Sequence, residues 1–319
     1  MPPLTSMLPP LPANLADLQL VRHQLPMLRA LARTAAVAIK QKLAPNSTAL
    51  DLPGPELVQT VAPRDPALVA RYLDHVGSSA TTWGDALPAH LFPQWGFALL
   101  SRTLEQIPYP LADLLNGGAR MVVNRPLPAN ESLTSTAQLV SIDDDGRRAI
   151  MHQRLVTSTP SAERAIEVDF RPIIRLRGAK RSDDKSTQKR AKPTVPSDAR
   201  ELRRWSLSPR SGLEFALLTG DFNPIHWVPL AAKAAGFHHT ILHGFASMSR
   251  AAEALIADLG GDGQALKVLD VRFVQPLTLP ANAHDTRGIA SAACFVRGQE
   301  VYVGTAPGGP AFMTGTWSA

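Results

Sequence analysis

Cysteine, aromatic residues and long apolar runs are all scarce in this chain, and each scarcity excludes something. The single cysteine among 319 residues, Cys294, permits no internal disulfide. A small disulfide-stapled scaffold is therefore excluded, and a reducing compartment such as the cytoplasm is expected. Cys294 lies in the strand-like run "IASAACFVRG", where a small buried hydrophobe is expected. No stretch approaches the roughly 18 uninterrupted apolar residues of a membrane helix, so no membrane association is expected. The opening "MPPLTSMLPPLPANL" lacks a basic leader, and its prolines would interrupt a signal helix. Neither G-x-S-x-G nor G-x-x-x-x-G-K occurs, which removes the usual support for a serine hydrolase or a P-loop nucleotide hydrolase.

What is present is an ordinary globular composition, 45% hydrophobic and 19% charged, on a chain long enough for about two domains. The formal charge of +6 is uneven. Much of it lies in "RLRGAKRSDDKSTQKRAKPTVPSDARELRRW", residues 175–205. Poor in apolar residues, this stretch reads as a solvated linker. Without interleaved aromatics it gives no case for nucleic-acid binding. Its cations could still steer a phosphate-bearing substrate or an acidic carrier protein.

An internal repeat flanks that linker. "GFALLSR" begins at Gly96 and "GFASMSR" at Gly244; "VVNRPLPAN" has its counterpart in "VQPLTLPAN"; "LVARYLDHVG" ends at Gly77 and "GLEFALLTG" at Gly220. Three matches in one order, at nearly constant separation, indicate two copies of one domain. Each copy has a short strand, a helical approach, a variable loop and a helix opened by Gly-Phe, followed by several strand-like runs. In the second copy Phe245, Met248, Ala252, Leu255 and Leu259 recur at helical spacing, so one buried face is expected, ended by Gly260-Gly261. In the first, Phe97, Leu100, Leu104 and Ile107 trace the same stripe up to Pro108. One helix followed by antiparallel strands is an α+β plan. The expected division is an irregular and helical extension at 1–54, a first domain at 55–178, the basic linker at 179–200 and a second domain at 201–319. Within the extension, Pro26 is expected to break or kink the helical run 15–43.

The chemistry concentrates in "LLTGDFNPIHWVP", Leu217 to Pro229. Asp221 and His226 could not face one point from a regular helix, but Pro224 biases Asn223 out of helical angles, so a bend is expected. On a bend an acid and an imidazole can share proton transfer, with Asn223 holding the turn through its own backbone. The first copy is a control. Opposite "GDFNPIHW" it has "GSSATTWG", with neither acid nor histidine. The asymmetry favours function in the second copy alone. Gly244, opening a helix, could present its N–H to a developing oxyanion, or serve close packing as Gly96 would. His238, His239 and His243 cluster nearby, but their spacing matches neither H-E-x-x-H nor a zinc finger, and no metal is expected.

The complete G-D-x-N-P-x-H core at Gly220–His226, with His243-Gly244 following, resembles the hydratase-2 motif of the MaoC-like (R)-specific enoyl-CoA hydratases and 3-hydroxyacyl-thioester dehydratases. The resemblance implies a double hot-dog fold, two antiparallel sheets each wrapped around a long central helix. It also implies a hydro-lyase in which Asp221 and His226 are catalytic around a water. Gly244 N–H would hold the thioester carbonyl, and Asn223 would support the loop. No cofactor is implied. The implied partner is an acyl-CoA or acyl-carrier-protein thioester, and a homodimer is possible. A hot-dog thioesterase and a non-catalytic thioester-binding subunit are the rival readings. The motif departs from the family's usual pattern at Trp227-Val228-Pro229, which leaves the acyl preference open.

Overall fold

The computed structural model describes residues 15–43, 50–176, 191–282 and 284–319. The first copy supplies β1 (Leu57–Val61), β2 (Leu114–Val123), β3 (Leu133–Asp144), β4 (Arg148–Ser158) and β5 (Ile166–Arg175). The second supplies β6 (Arg200–Ser206), β7 (Val268–Phe273), β8 (Ser291–Arg297), β9 (Glu300–Gly304) and β10 (Ala311–Ser318). All ten form one antiparallel sheet in the order β1-β3-β4-β5-β2-β7-β10-β9-β8-β6. From either edge inward the order is the same: first, third, fourth, fifth and second strand of each half. The fold is a double hot-dog. Its two sheets are joined edge to edge, with β2 paired to β7 from Gly118–Arg272 to Val122–Val268. That junction satisfies backbone groups which two separate sheets would leave exposed.

Helices α1 (Leu25–Leu43), α2 (Pro66–Val76), α3 (Ala80–Trp83) and α4 (Pro93–Arg102) belong to the first part of the chain. In the second half α5 (Ser211–Thr219), α6 (Pro229–Ala234) and α7 (Gly244–Asp258) follow β6. The N-terminal helical run changes character beside Pro26, from a 3-10 segment to α1. Pro26 sits in the first turn of α1, where its missing N–H has no helical partner to lose. The 3-10 segment, Leu15–Gln24, leads into it.

The two central helices differ. Along α7 the expected stripe is buried from Phe245 to Leu255, with Leu259 half-buried past the helix end, but Ser247, Ser249, Arg250 and Glu253 are buried too, so this helix is enclosed on all sides. The first half covers its other face through polar contacts. Tyr72 donates to Ser249 Oγ at 2.8 Å, while Trp83 Nε1 donates to Glu253 Oε1 at 2.9 Å. His90 Nε2 also lies 2.9 Å from that carboxylate. Gly260 and Gly261 end the helix at φ of 101° and 83°, which favour glycine. By contrast α4 stops at Arg102, short of the expected Pro108. Thr103 Oγ1 and Gln153 Nε2 both donate to the Leu100 carbonyl, at 2.9 and 2.8 Å, beside the Thr103 N–H at 3.1 Å. Leu104 and Ile107 remain buried beyond the helix end.

A cluster of phenylalanines welds the halves. Phe245 of α7 meets Phe92, Phe97 and Phe170 of the first half at ring separations of 5.1, 5.1 and 5.6 Å. Cys294 is buried on β8, and burial pushes its thiol up to about 12. Much of the basic stretch lies outside the described residues, at 177–190. The part that is described is not a solvated tether throughout: Val195 and Ala199 are buried against Ala293, Phe295 and Ala311.

Candidate functional site

Helix α5 ends at Gly220, whose φ of 81° puts it in the left-handed region and reverses the chain. The loop that follows returns over the start of α5. A Cβ on Gly212 would lie 1.9 Å from the His226 carbonyl oxygen, so only glycine permits this approach. Asn223 caps a single 3-10 turn, Pro224–His226, its Oδ1 accepting from Ile225 N–H at 3.3 Å. Trp227 fastens the bend by donating its Nε1–H to the Phe222 carbonyl at 3.2 Å. Trp227 does not face the cavity described below; it is a staple for the bend.

This bend brings Asp221 and His226 together. One ligating atom from each, and one from His243, lie within 4.8 Å of one another. His226 is buried, and Asp221 is half-buried. The Nδ1 of His226 lies 2.8 Å from the Ile241 carbonyl, which can only accept, so that nitrogen carries the proton and Nε2 keeps its lone pair. The same logic applies to His243, whose Nε2 lies 2.9 Å from the Asp221 carbonyl. Its Nδ1 is buried without a partner. The two rings stack with centroids 3.7 Å apart. Burial lowers the pKa of His226, opposed by the Asp221 charge, and burial raises that of Asp221, opposed by His226. His243 is held well below the ordinary imidazole value, first by burial and then by His226.

Asp221, Asn223, His226 and Gly244 all line one cavity of about 740 Å³. The rest of its wall is mostly apolar and comes from both halves. Phe237, Phe273 and Leu277 stand on the second-half side, and Phe97, Leu100 and Leu104 on the first. Gly244 is the first residue of α7, so its N–H lies outside the helical ladder. A Cβ there would meet the Phe273 ring at 2.6 Å. Of the three neighbouring histidines only His243 joins the group; His238 is exposed, and His239 Nδ1 lies 3.1 Å from Thr240 Oγ1. The sequence marks His243 only as the residue before Gly244; that its ring stacks on His226 and bonds the Asp221 carbonyl follows from the fold. A proton acceptor, a carboxyl group and a helix-terminal N–H around one apolar cavity suit proton transfer beside a carbonyl. The triad of Asp221, His226 and His243 also has a spacing that fits a divalent cation.

Residues 188–286 match the family model described as MaoC like domain. The chain is 30% identical over 173 residues to the peroxisomal enoyl-CoA hydratase 2 of Arabidopsis thaliana, covering 50% of this chain and 55% of that protein. It is 29% identical over 171 residues to 3-hydroxyacyl-thioester dehydratase Y of Mycobacterium tuberculosis, covering 52% and 58% respectively. The chain thus spans little more than half the length of these curated relatives. Among solved structures, a MaoC-like dehydratase from Phytophthora capsici superposes with a TM-score of 0.61 at 21% identity, over 83% of this chain and 95% of that one. HtdX of Mycobacterium tuberculosis superposes with a TM-score of 0.62 at 20% identity, over 82% and 99%. No helix among the described residues is long and apolar enough to cross a membrane. Residues 188–286 thus match a MaoC-like domain, on a chain with the double hot-dog fold.

Proposed function

We propose that the protein is a hydro-lyase that adds water to a 2-enoyl thioester, or removes it from a 3-hydroxyacyl thioester, with coenzyme A as the carrier. The observation that carries this reading is the meeting of Asp221, His226 and the Gly244 amide in one largely apolar cavity. In hydration, Asp221 and His226 hold the water between them and take one of its protons. Its oxygen bonds to the β-carbon, and the double-bond electrons move towards the thioester oxygen. The Gly244 N–H stabilises that oxygen as charge builds. The pair then returns a proton to the α-carbon, so the site ends as it began. His226 Nε2 is the ready acceptor, because burial keeps the ring neutral and its other nitrogen faces Ile241. Asn223 shapes the turn that sets both groups. The names of the curated relatives support the substrate class. The reducing environment suggested by one buried cysteine supports a cytoplasmic site of action, and a homodimer is the proposed assembly.

Crotonyl-CoA and a longer 2-enoyl-CoA are expected to lose their conjugated absorbance without release of free thiol. Thiol release would identify a thioesterase instead. Turnover only on acyl-carrier-protein substrates would change the carrier, and none on either would leave a binding subunit. Dialysis against a chelator is expected to leave the rate unchanged. A lost rate restored by zinc would put a metal, not a water alone, between Asp221, His226 and His243.

A further inference from the structure

The segment ahead of the repeat reaches the same cavity. Met27 and Leu31 of α1 line it together with Phe97, Leu100 and Leu104, in and just beyond α4, against which α1 packs. Four residues apart, they sit one above the other on a single face of the helix. Their order along the cavity follows from their neighbours. A Cβ on Gly220, the residue before Asp221, would lie 3.0 Å from Met27 Cβ, so Met27 stands beside the reacting end. Further along α1, Val37 packs on the cluster of Leu104, Ile107 and Leu111, past the end of α4. Leu31 lies between. A chain leaving Asp221 and Gly244 along this wall would pass Met27, then Leu31, in the space opened where α4 stops early.

The wall is fastened by polar contacts, not by apolar packing alone. Gln24 is 1% exposed, and its amide nitrogen donates to the Leu217 and Leu218 carbonyls at 3.0 Å each. Those carbonyls belong to the last turn of α5, which the sequence of the loop leaves without helical partners. Gln94 Nε2 donates in turn to the His23 carbonyl at 3.3 Å. Arg22 and His23 both reach Asp65, and Arg33 reaches Glu105 at 3.7 Å. The extension is thus held at both the catalytic loop and the first half.

We propose that α1 is a fixed wall of the acyl-binding cavity, with Met27 and Leu31 determining specificity: Leu31 limits the length of the acyl chain, and Met27 limits bulk next to the reacting carbons. This rests on the proposed thioester hydro-lyase reading for its substrate class. The residues do no chemistry; they shape the volume beside it.

The test uses the full chain and three variants, Leu31→Ala, Leu31→Trp and Met27→Ala, each checked for folding by its melting curve. Rates are read on straight-chain 2-enoyl-CoA of four, eight, twelve and sixteen carbons, and on a 2-methyl-branched analogue. The ratio of kcat/KM for twelve carbons over four is expected to fall about tenfold or more in Leu31→Trp and to rise in Leu31→Ala, as methylene-scale changes in an apolar pocket do. Met27→Ala should raise the branched-to-straight ratio. Should the tryptophan variant not fold, the two alanine variants carry the test. Unchanged ratios in folded variants of an active enzyme overturn the proposal and leave the hydro-lyase reading standing. If the wild type turns over no enoyl-CoA, that reading fails on its own. Calorimetric binding of saturated acyl-CoA of the same lengths then decides the wall: a length preference that moves with residue 31 upholds it. Affinities that ignore residue 31, or no binding at all, overturn it.

Discussion

The loops after Gly77 and Gly220 begin alike and end differently. Both glycines close a helix with positive φ, 83° and 81°. From there the first half runs through Ser79 and Thr81, whose hydroxyls pair at 2.7 Å in the open, to Trp83. Trp83 holds the place that His226 takes in the second half, but its N–H turns to Glu253 on α7. The central glycines diverge in the same way. Neither leaves room for a Cβ: one on Gly96 would lie 2.5 Å from Leu155 Cδ2, and one on Gly244 2.6 Å from the Phe273 ring. Yet the Gly96 N–H already donates to the Phe92 carbonyl at 2.8 Å, inside α4. Gly244 opens its helix, so its N–H stays outside the helical ladder, and the residue lines the cavity. One scaffold therefore carries two arrangements: the first half braces α7, and the second half leaves the corresponding positions beside the cavity, where the proposed function puts the ligand.

The comparison breaks first at the loops. Asp221→Asn and His226→Ala are each expected to cut turnover by about 10²–10⁴, the usual worth of an acid–base group. Asp221→Asn should also raise the melting temperature. A carboxyl whose folded pKa lies above its unfolded value destabilises the fold when ionised, and asparagine removes that charge at nearly equal volume. A variant that is both slower and no more stable would show that Asp221 is not held against burial.

The glycines give the next contrast. In Gly244→Ala the new methyl must displace the Phe273 ring and tilt the amide beside the substrate, so turnover should fall by about tenfold or more while the protein stays folded. Gly96→Ala meets only Leu155 and is expected to cost about 1–3 kcal/mol of stability in denaturant titrations, with turnover little changed. Equal losses of turnover in the two would mean that Gly244, like Gly96, serves packing alone. A smaller effect belongs to Trp83→Phe, which keeps the ring but leaves Glu253 one donor short; about 1–3 kcal/mol should be lost, with no role in turnover.

Much of this contrast is legible in the chain itself. The recurring Gly-Phe and the paired αL glycines reveal the repeat, and the missing acid and histidine in the first copy point to the second. Pro224 after Asn223 forecasts the bend, because both restrict the backbone locally. What escapes the sequence depends on contacts between distant segments. The early end of α4 requires Gln153 from β4 to take the Leu100 carbonyl. The all-round burial of α7 requires Tyr72 and Trp83 to reach across from the other half, so a helix that reads as one-faced is enclosed. His243 reaches Asp221 and His226 only because its own ring bonds the Asp221 carbonyl from the start of α7. Nothing in the pattern of 15–43 signals that Met27 faces Gly220. Local rules describe the loop, and tertiary packing describes the cavity.

The finest test of the pairing is its pH dependence. Burial moves the two groups towards each other, His226 down from the ordinary imidazole value of about 6.5 and Asp221 up from the ordinary carboxylate value of about 3.9. The acid limb of kcat/KM should therefore lie below the ordinary imidazole value, as the pair takes up protons in steps that belong to both groups. The carboxylate charge opposes the fall at His226, so removing it has a definite sign. In Asp221→Asn the residual activity should keep its acid limb at lower pH than the wild type, because a buried imidazole without its anion is harder still to protonate. Stability should follow the same direction. His75, His226 and His243 all titrate lower in the fold than in the unfolded chain, so the unfolded state takes up protons first and stability is lost as pH falls below about 6.5. An acid limb that fails to move down in Asp221→Asn would mean that the carboxylate charge does not act on the imidazole, and the two loops would then differ in sequence without differing in chemistry.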